Sequence, residues 1–221
     1  LIEDTKIDSI EPYKQHYKAR DILCELETSL ENDINARSEN DEDQLTLKAI
    51  LGYVRKDIGK INLFVDETNQ AEIYFNKSLD VLTDNKNHPK NIVCYVDVLN
   101  QQGILWSKLQ DMEKSKNFLV KSEEAVNEFK ELSSQPLTIW DIIGTSDEIE
   151  KGKGDQALEK TCTLTYFYLA QVYGSLGELE ESARYCDETL KRQLEVNDYE
   201  SIEWSLNAAT LSQYYVGRNK L

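Results

Sequence analysis

Small residues interrupt an otherwise large, apolar pattern between residues 168 and 186, at Ala170 and Ser182. If two helices joined by a short turn bring these positions opposite each other, a larger side chain at either one would push the helix axes apart. Such overpacking costs roughly 1–3 kcal/mol. Gly177 lies between them, where a helix end often requires a positive φ. The stretch therefore predicts a helical hairpin whose two helices cross at Ala170 and Ser182.

The same pairing of small residues occurs twice earlier in the chain, as Gly103 with Ser115 and as Gly59 with Ala71. With the first residue of each pair counted as position eight and the second as position twenty, the pattern matches the tetratricopeptide repeat, a helix-turn-helix of about 34 residues. Ala208 takes position eight of a fourth copy that has no second helix after it. The steps between copies exceed the repeat length, which predicts lengthened helices and inserted loops.

These observations predict an all-α fold, a tetratricopeptide-like right-handed α-solenoid of antiparallel helical hairpins. Only three prolines and nine glycines are present, as expected for long helices. The first copy is the weakest, because Arg55 and Asn62 occupy positions that are usually bulky and apolar. We expect one N-terminal solenoid domain at 1–221, in a chain that is a fragment. Its predicted parts are a capping helix at 12–31, hairpin 1 at 44–83, hairpin 2 at 89–132, an inserted loop at 133–155, hairpin 3 at 156–196 and the first helix of a truncated hairpin 4 at 198–217.

The chain is strongly acidic, with 25 Lys and Arg against 41 Asp and Glu and a formal net charge of −16. This charge repels phosphate backbones and anionic membrane surfaces, so we expect no nucleic-acid partner. A basic protein surface would be attracted instead. The charge is equally compatible with a role in solubility alone. No apolar run reaches the roughly 20 residues that a membrane-spanning helix needs, so we expect no membrane insertion.

Acidic residues also cluster where the two helices of each hairpin should meet. If the hairpins stack, the sequence predicts an acidic edge formed by three turns. The preference of helix N-termini for acids is an alternative explanation of the same pattern. The residues concerned are Asp66, Glu67, Asp111, Glu113, Glu178 and Glu180.

The sequence offers no constellation typical of catalysis or metal binding. No phosphate-binding loop, nucleophile elbow or zinc-protease motif occurs. The cysteines are scattered without a C-x-x-C pair, and neither histidine lies at ligand spacing from them. We therefore expect no enzyme activity, no metal and no cofactor. The cysteines are Cys24, Cys94, Cys162 and Cys186, and the histidines are His16 and His88.

Several stretches are more specific than a generic repeat: EPYKQHYKAR from Glu11, GILWS from Gly103, YLAQVY from Tyr168, TLKRQLE from Thr189 and IEWSLNAATLSQYY from Ile202. Together they resemble the KIF-binding protein family, also called kinesin-binding protein. The resemblance implies a cytoplasmic, cytoskeleton-associated, non-enzymatic adaptor with a tetratricopeptide-like α-solenoid. It implies binding to kinesin motor domains that prevents their attachment to microtubules. Because motors meet acidic tubulin through a basic surface, an acidic solenoid could compete for that surface.

The resemblance also implies partner-binding residues. The positions that match the family's motor-contacting polar residues are Tyr168, Gln171, Gln193 and Thr210, and all four residue types are retained. By position alone, Tyr168 and Thr210 could equally pack between repeats with a satisfied hydroxyl. The sequence leaves open which kinesins bind and whether the chain self-associates.

A co-chaperone-type adaptor that binds peptide termini is an alternative. Such a site needs Lys, Asn and Arg on the first helices of the hairpins. Lys56 and Lys60 fit this requirement, whereas Gln101 and Tyr168 at position six leave the cradle incomplete. A regulatory scaffold with no motor partner also remains open.

Overall fold

The computed structural model describes residues 13–37, 42–133, 153–196 and 201–218. Within these ranges the chain forms α-helices, one short 3₁₀ turn at Thr83–Asn85 and no strand. The predicted all-α class is therefore confirmed. The helices are α1 (Lys14–Asn35), α2 (Glu42–Phe64), α3 (Thr68–Leu82), α4 (Pro89–Lys108), α5 (Met112–Leu132), α6 (Lys153–Ser175), α7 (Leu179–Val196) and α8 (Ser201–Arg218).

The chain divides into two compact units, Leu1–Asp84 (unit 1) and Asn85–Leu221 (unit 2). Unit 1 contains α1 to α3, and unit 2 contains α4 to α8. A single solenoid domain for 1–221 stays a prediction. Most of the predicted inserted loop at 133–155 lies outside the described residues, as do position 12 of the predicted capping helix and positions 198–200 of the predicted fourth hairpin.

In unit 1, α2 and α3 form an antiparallel hairpin with a close crossing. The Ser78 hydroxyl donates a 2.7 Å hydrogen bond to the Gly52 carbonyl. Further along α2, a Cβ on Gly59 would lie 2.5 Å from Cε1 of Phe75, so nothing larger than glycine fits without movement. Gly52 of α2 contacts Ser78 of α3, and the later residue Gly59 contacts the earlier residue Phe75, so the two helices are antiparallel. Gly59 is thus a crossing point, as predicted.

The two unusual polar residues of this hairpin contact α1. The Arg55 guanidinium donates to Glu27 Oε1 at 2.9 Å and to Glu31 Oε1 at 2.5 Å. Arg20 donates from α1 to Asn62 Oδ1 at 2.8 Å. The side chains of Arg55 and Glu27 are only 12% and 8% exposed, so removing one would leave the other charge poorly solvated. The weak first copy of the repeat is therefore a docking surface for α1.

Unit 2 contains two hairpins with the same crossing geometry. The Ser115 hydroxyl of α5 donates to the Gly103 carbonyl of α4 at 2.7 Å. The Ser182 hydroxyl of α7 donates to the Ala170 carbonyl of α6 at 2.8 Å. Both serines are buried. The small residues at positions eight and twenty let the helices touch, which confirms the prediction for both pairs.

The turns within the three hairpins share one backbone geometry. In each turn, a residue with a positive φ is followed by an acidic residue. The backbone N–H of that acidic residue donates a hydrogen bond to the carbonyl five residues earlier, which is a typical motif at the C-terminus of a helix. The left-handed residues are Asp66, Gln110 and Gly177, with φ of 66°, 64° and 79°. The closing hydrogen bonds run from Glu67 to Asn62, from Asp111 to Trp106 and from Glu178 to Tyr173, at 2.8, 2.9 and 2.9 Å.

Within unit 2, α6 packs against α4, α5 and α7, and α8 packs against α7. The shared apolar core includes Leu119, Leu169 and Cys186, with Leu211 of α8 packed against it. Cys186 Sγ also donates to Asn207 Oδ1 at 3.6 Å. These contacts fix the faces that α6, α7 and α8 turn to solvent.

Candidate partner-binding surface

Helix α6 carries two of the four residues implied by the family resemblance. Its buried side is formed by residues three and four apart, Thr165, Leu169 and Val172. Gln171 lies off this side and is exposed, whereas Tyr168 is half-buried. The Tyr168 ring packs against the unit 2 core and meets the Phe167 ring edge-on at 5.2 Å. Because residues three apart on a helix are neighbours, Tyr168 and Gln171 form one contiguous piece of surface.

Gln193 of α7 is not a surface residue. Its side chain is 6% exposed, and its Oε1 has no hydrogen-bond partner among the described residues. Burying such an acceptor without a partner costs about 1–3 kcal/mol. Helical spacing agrees with this, because Gln193 follows the buried residues Ser182, Cys186 and Thr189 at steps of four, three and four residues along one side of α7.

Thr210 of α8 is half-buried, and its hydroxyl proton is used within its own helix. Its Oγ1 donates to the Leu206 carbonyl at 2.9 Å. Toward another molecule the side chain can therefore offer its methyl group and an acceptor oxygen. The four candidate residues thus differ in availability: Gln171 is open, Tyr168 and Thr210 are partly open, and Gln193 is covered.

Two exposed apolar residues near Thr210 were not singled out from the sequence. Ile202 is 72% exposed and Leu206 is 53% exposed, and they lie four residues apart on α8. The sequence does contain a signal, since α8 carries these residues in addition to the apolar residues that face α7. They make this side of α8 apolar, in contrast to the amide that α6 presents.

The acids of the hairpin turns are partly neutralised. In unit 2, Lys116 Nζ lies 2.9 Å from Glu178 and 3.0 Å from Glu113, and these carboxylates raise the pKa of the Lys116 ammonium. Asp111 Oδ1 accepts a 3.0 Å hydrogen bond from the Lys114 amide, so this acid caps α5. The helix-terminus alternative therefore explains Asp111. An acidic edge shared by three turns stays a prediction.

Of the two lysines that fit a peptide-carboxylate cradle, Lys60 is exposed and Lys56 is buried. Lys56 is 8% exposed, with its Nζ 3.5 Å from Asp57 and 4.8 Å from the centre of the Tyr53 ring. Gln101 is also 8% exposed and donates to Asp97 at 3.2 Å. These positions do not favour the peptide-terminus alternative.

Two cysteines of unit 2, Cys162 and Cys186, are poorly suited to nucleophilic chemistry. Burial raises the pKa of Cys186 to about 11 and also raises the pKa of Cys162, so both thiols keep their protons at neutral pH. In the part of the chain that the structure describes, no three His, Cys, Asp or Glu side chains group as metal ligands would. None of the helices in that part is long and apolar enough to cross a membrane.

No family model matches the chain. It is 34% identical over 216 residues to a KIF-binding protein of Drosophila melanogaster, an alignment that covers 95% of this chain. This chain is a relative of the KIF-binding proteins. The family resemblance expected from the sequence is thereby confirmed. The KIF-binding proteins of Gallus gallus and Homo sapiens are 32% and 31% identical to this chain, in alignments that cover 98% and 94% of it. The chain spans 36% of the length of the Drosophila and Gallus relatives.

Two solved structures are similar to the fold. A kinesin binding protein (KBP) matches with a TM-score of 0.64 and 28% identity, over 97% of this chain and 40% of that one. BtubC (BKLC) from P. vanneervenii matches with a TM-score of 0.56 and 13% identity, over 98% of this chain and 79% of that one. The second likeness concerns the fold alone. The match to KBP supports the helical, solenoid-like class expected from the sequence.

Proposed function

We propose that this chain is part of a non-enzymatic adaptor that binds kinesin motor domains. One observation carries the proposal: the chain is similar along 95% of its length to a protein named for binding KIF proteins. A helical scaffold with open polar side chains on one helix is suited to such binding. The proposed location is the cytoplasm, in association with the microtubule cytoskeleton.

The contact surface in this proposal lies on α6 and α8. Gln171 supplies an amide that can both donate and accept, and Tyr168 supplies a large, rigid contact beside it. Thr210 and the exposed Leu206 contribute apolar area on α8. Gln193 contributes only if partner binding moves the end of α7, because its side chain is covered in the free chain.

The proposed mechanism is inhibition of the motor. The net charge of −16 attracts a basic motor surface and accelerates encounter, while the polar contacts on α6 select among motors. A motor whose basic surface is occupied cannot bind acidic tubulin. Salt weakens attraction between exposed charges, so inhibition should decrease as ionic strength rises.

Co-sedimentation of a responsive kinesin motor domain with microtubules tests the proposal. At each salt concentration, the full-length protein should lower the fraction of motor in the pellet relative to motor alone, and this difference should shrink as salt is raised. Unchanged pelleting together with no motor binding in a pull-down would contradict it.

The contact surface is tested by Gln171→Ala, with Gln70→Ala as the matched control. Gln70 is an exposed amide on α3 in unit 1. Loss of one hydrogen bond of about 0.5–1.5 kcal/mol should weaken motor binding roughly 2- to 10-fold for Gln171→Ala and not for Gln70→Ala. Equal effects of the two substitutions would place the contact elsewhere.

A further inference from the structure

The turn between α6 and α7 combines an exposed serine with a dense group of carboxylates. Ser175 is the last residue of α6, and its side chain is exposed. The third, fifth and sixth residues after it are Glu178, Glu180 and Glu181. The mechanism proposed above does not use this serine.

We propose that Ser175 is a phosphorylation site for an acidophilic serine/threonine protein kinase. Kinases discriminate substrates partly by charge pattern, and a basic substrate cleft favours carboxylates that follow the acceptor serine. The segment from Ser175 to Glu181 contains three such carboxylates and no Lys or Arg. Serines in the interior of this fold, such as Ser182, are buried and cannot reach a kinase.

A kinase must open this turn, which removes Leu176 from its packing against the unit 2 core and breaks the 2.9 Å hydrogen bond from the Glu178 amide to the Tyr173 carbonyl. Helix ends fray with small free energies, and Ser175 is followed by the turn residue Gly177 with its φ of +79°. Glu178 pairs with Lys116 at 2.9 Å, and Glu181 pairs with Arg184 at 2.8 Å. Both carboxylates are 43% exposed, and exposed pairs of this kind are weak. The acids can therefore separate from their partners and enter a kinase cleft.

The reaction transfers the terminal phosphoryl group of ATP. Ser175 Oγ forms a bond to the γ-phosphorus, the bond from that phosphorus to the bridging oxygen breaks, and ADP leaves. The hydroxyl proton passes to the catalytic aspartate of the kinase. The product carries about −1.5 to −2 charge at neutral pH.

Phosphorylation should loosen the last turn of α6. The Ser175 hydroxyl donates a 2.9 Å hydrogen bond to the Gln171 carbonyl, and the ester oxygen of phosphoserine has no proton to donate. The new charge also lies at the negative end of the helix dipole and close in sequence to Glu178. Only the relevance of Gln171 to partner binding rests on the proposed function; the modification itself does not.

Phosphate mapping by mass spectrometry tests the site, using the full-length protein, ATP and a purified acidophilic kinase. Ser212 is the matched control, because it is exposed and donates to Ala208 at 2.7 Å as Ser175 does to Gln171, yet none of residues 213–221 is acidic. Ser38 is a positive control from sequence alone, since Asp41 follows it by three residues. We expect phosphate on Ser175 and none on Ser212. Phosphate on Ser38 without phosphate on Ser175 would overturn the proposal.

Two further measurements test recognition of Ser175 through the carboxylates and loosening of the turn by phosphate. Glu178→Gln should slow phosphorylation of Ser175 at least 10-fold, and an unchanged rate would contradict recognition through the carboxylates. In the phosphorylated protein, the amides of Leu176, Gly177 and Glu178 should exchange hydrogen several-fold faster, because their bonds close this turn. Unchanged exchange would contradict the loosening. Motor binding by the unphosphorylated protein tests the proposed function separately.

Discussion

Thr165 Oγ1 donates a 2.9 Å hydrogen bond to Asn100 Oδ1, which joins α6 to α4 inside the core of unit 2. Asn100 Nδ2 in turn donates to the Thr161 carbonyl at 3.1 Å, and the Ser122 hydroxyl of α5 donates to Asn100 Oδ1 at 2.9 Å. Asn100, Ser122 and Thr165 are each 0% exposed. One side-chain amide thus links three helices and fixes how the two hairpins of unit 2 align.

Asn100→Ala should lower the free energy of unfolding by about 1–3 kcal/mol, because it leaves the Thr161 carbonyl and two buried hydroxyls with fewer partners. Urea unfolding followed by circular dichroism measures the change. Asn127→Ala, on the exposed side of α5, is the control and should shift stability by less than about 0.5 kcal/mol. Similar losses for the two variants would show that the Asn100 network adds nothing specific.

Gly103→Ala should be destabilising because the crossing of α4 and α5 has no room for a methyl group. A Cβ at this position would lie 2.6 Å from Cγ of Leu119, which is itself fully buried. We expect a loss of about 1–3 kcal/mol in urea unfolding. Gly217→Ala, where a Cβ would meet nothing within 4 Å, should leave stability unchanged or slightly higher. A neutral Gly103→Ala variant would contradict the tight crossing.

The hairpins and their crossing points were predictable because they depend on local spacing. Gly103 with Ser115 and Ala170 with Ser182 are small for a reason that is repeated in each hairpin. Asn100 was not predictable, since its partners lie on other helices and no periodic pattern identifies them. Arg55 looked like a defect in the repeat for the same reason: its acidic partners are on α1.

The family resemblance indicated the residue types of the candidate surface, whereas their exposure depends on which side of its helix each residue occupies. The family resemblance indicated Gln171 and Gln193 equally, yet the first side chain is exposed and the second is covered. Helical spacing separates the two amides, because Gln193 continues the buried side of α7 after Cys186 and Thr189. Gln171 lies off the buried side of α6. Ile202 and Leu206 show that residue type alone does not predict burial, because both side chains are apolar and both are exposed.

Gln110→Gly should stabilise the chain, and Gly177→Ala should destabilise it. The two residues have φ of 64° and 79° at equivalent turns, a region in which a residue with a Cβ is strained. Nothing lies within 4 Å of a Cβ on Gly177, so the cost of alanine there comes from the backbone alone. We expect changes of about 1 kcal/mol in opposite directions, measured by urea unfolding. Changes of the same sign would contradict equivalent strain in the two turns.

Alkaline pH should destabilise unit 2 through its buried tyrosines. Burial raises the pKa of Tyr185, and its 2.7 Å hydrogen bond to the Glu123 carboxylate raises that pKa further; burial likewise raises the pKa of Tyr166. These pKa values are higher in the folded chain than in the unfolded chain, where a tyrosine has a pKa of about 10. The protonated phenols therefore contribute their full share of the folding free energy below about pH 10, and this contribution is lost as pH rises through the folded pKa values. Circular dichroism and tyrosinate absorbance, recorded together from pH 8 upward, should show helix loss accompanying late tyrosine ionisation.

Tyr185→Phe removes the hydrogen bond to Glu123 and keeps the packing of the aromatic ring, so it measures the contribution of that bond alone. Loss of a bond to a charged acceptor should lower the free energy of unfolding at pH 7 by about 1.5–3 kcal/mol, while the dependence of stability on alkaline pH becomes shallower because one high-pKa phenol is gone. Tyr215→Phe, with a side chain that is 52% exposed, is the control and should change neither quantity appreciably. A Tyr185→Phe variant as stable as the parent, with an unaltered alkaline slope, would contradict a structural role for the bond between Tyr185 and Glu123.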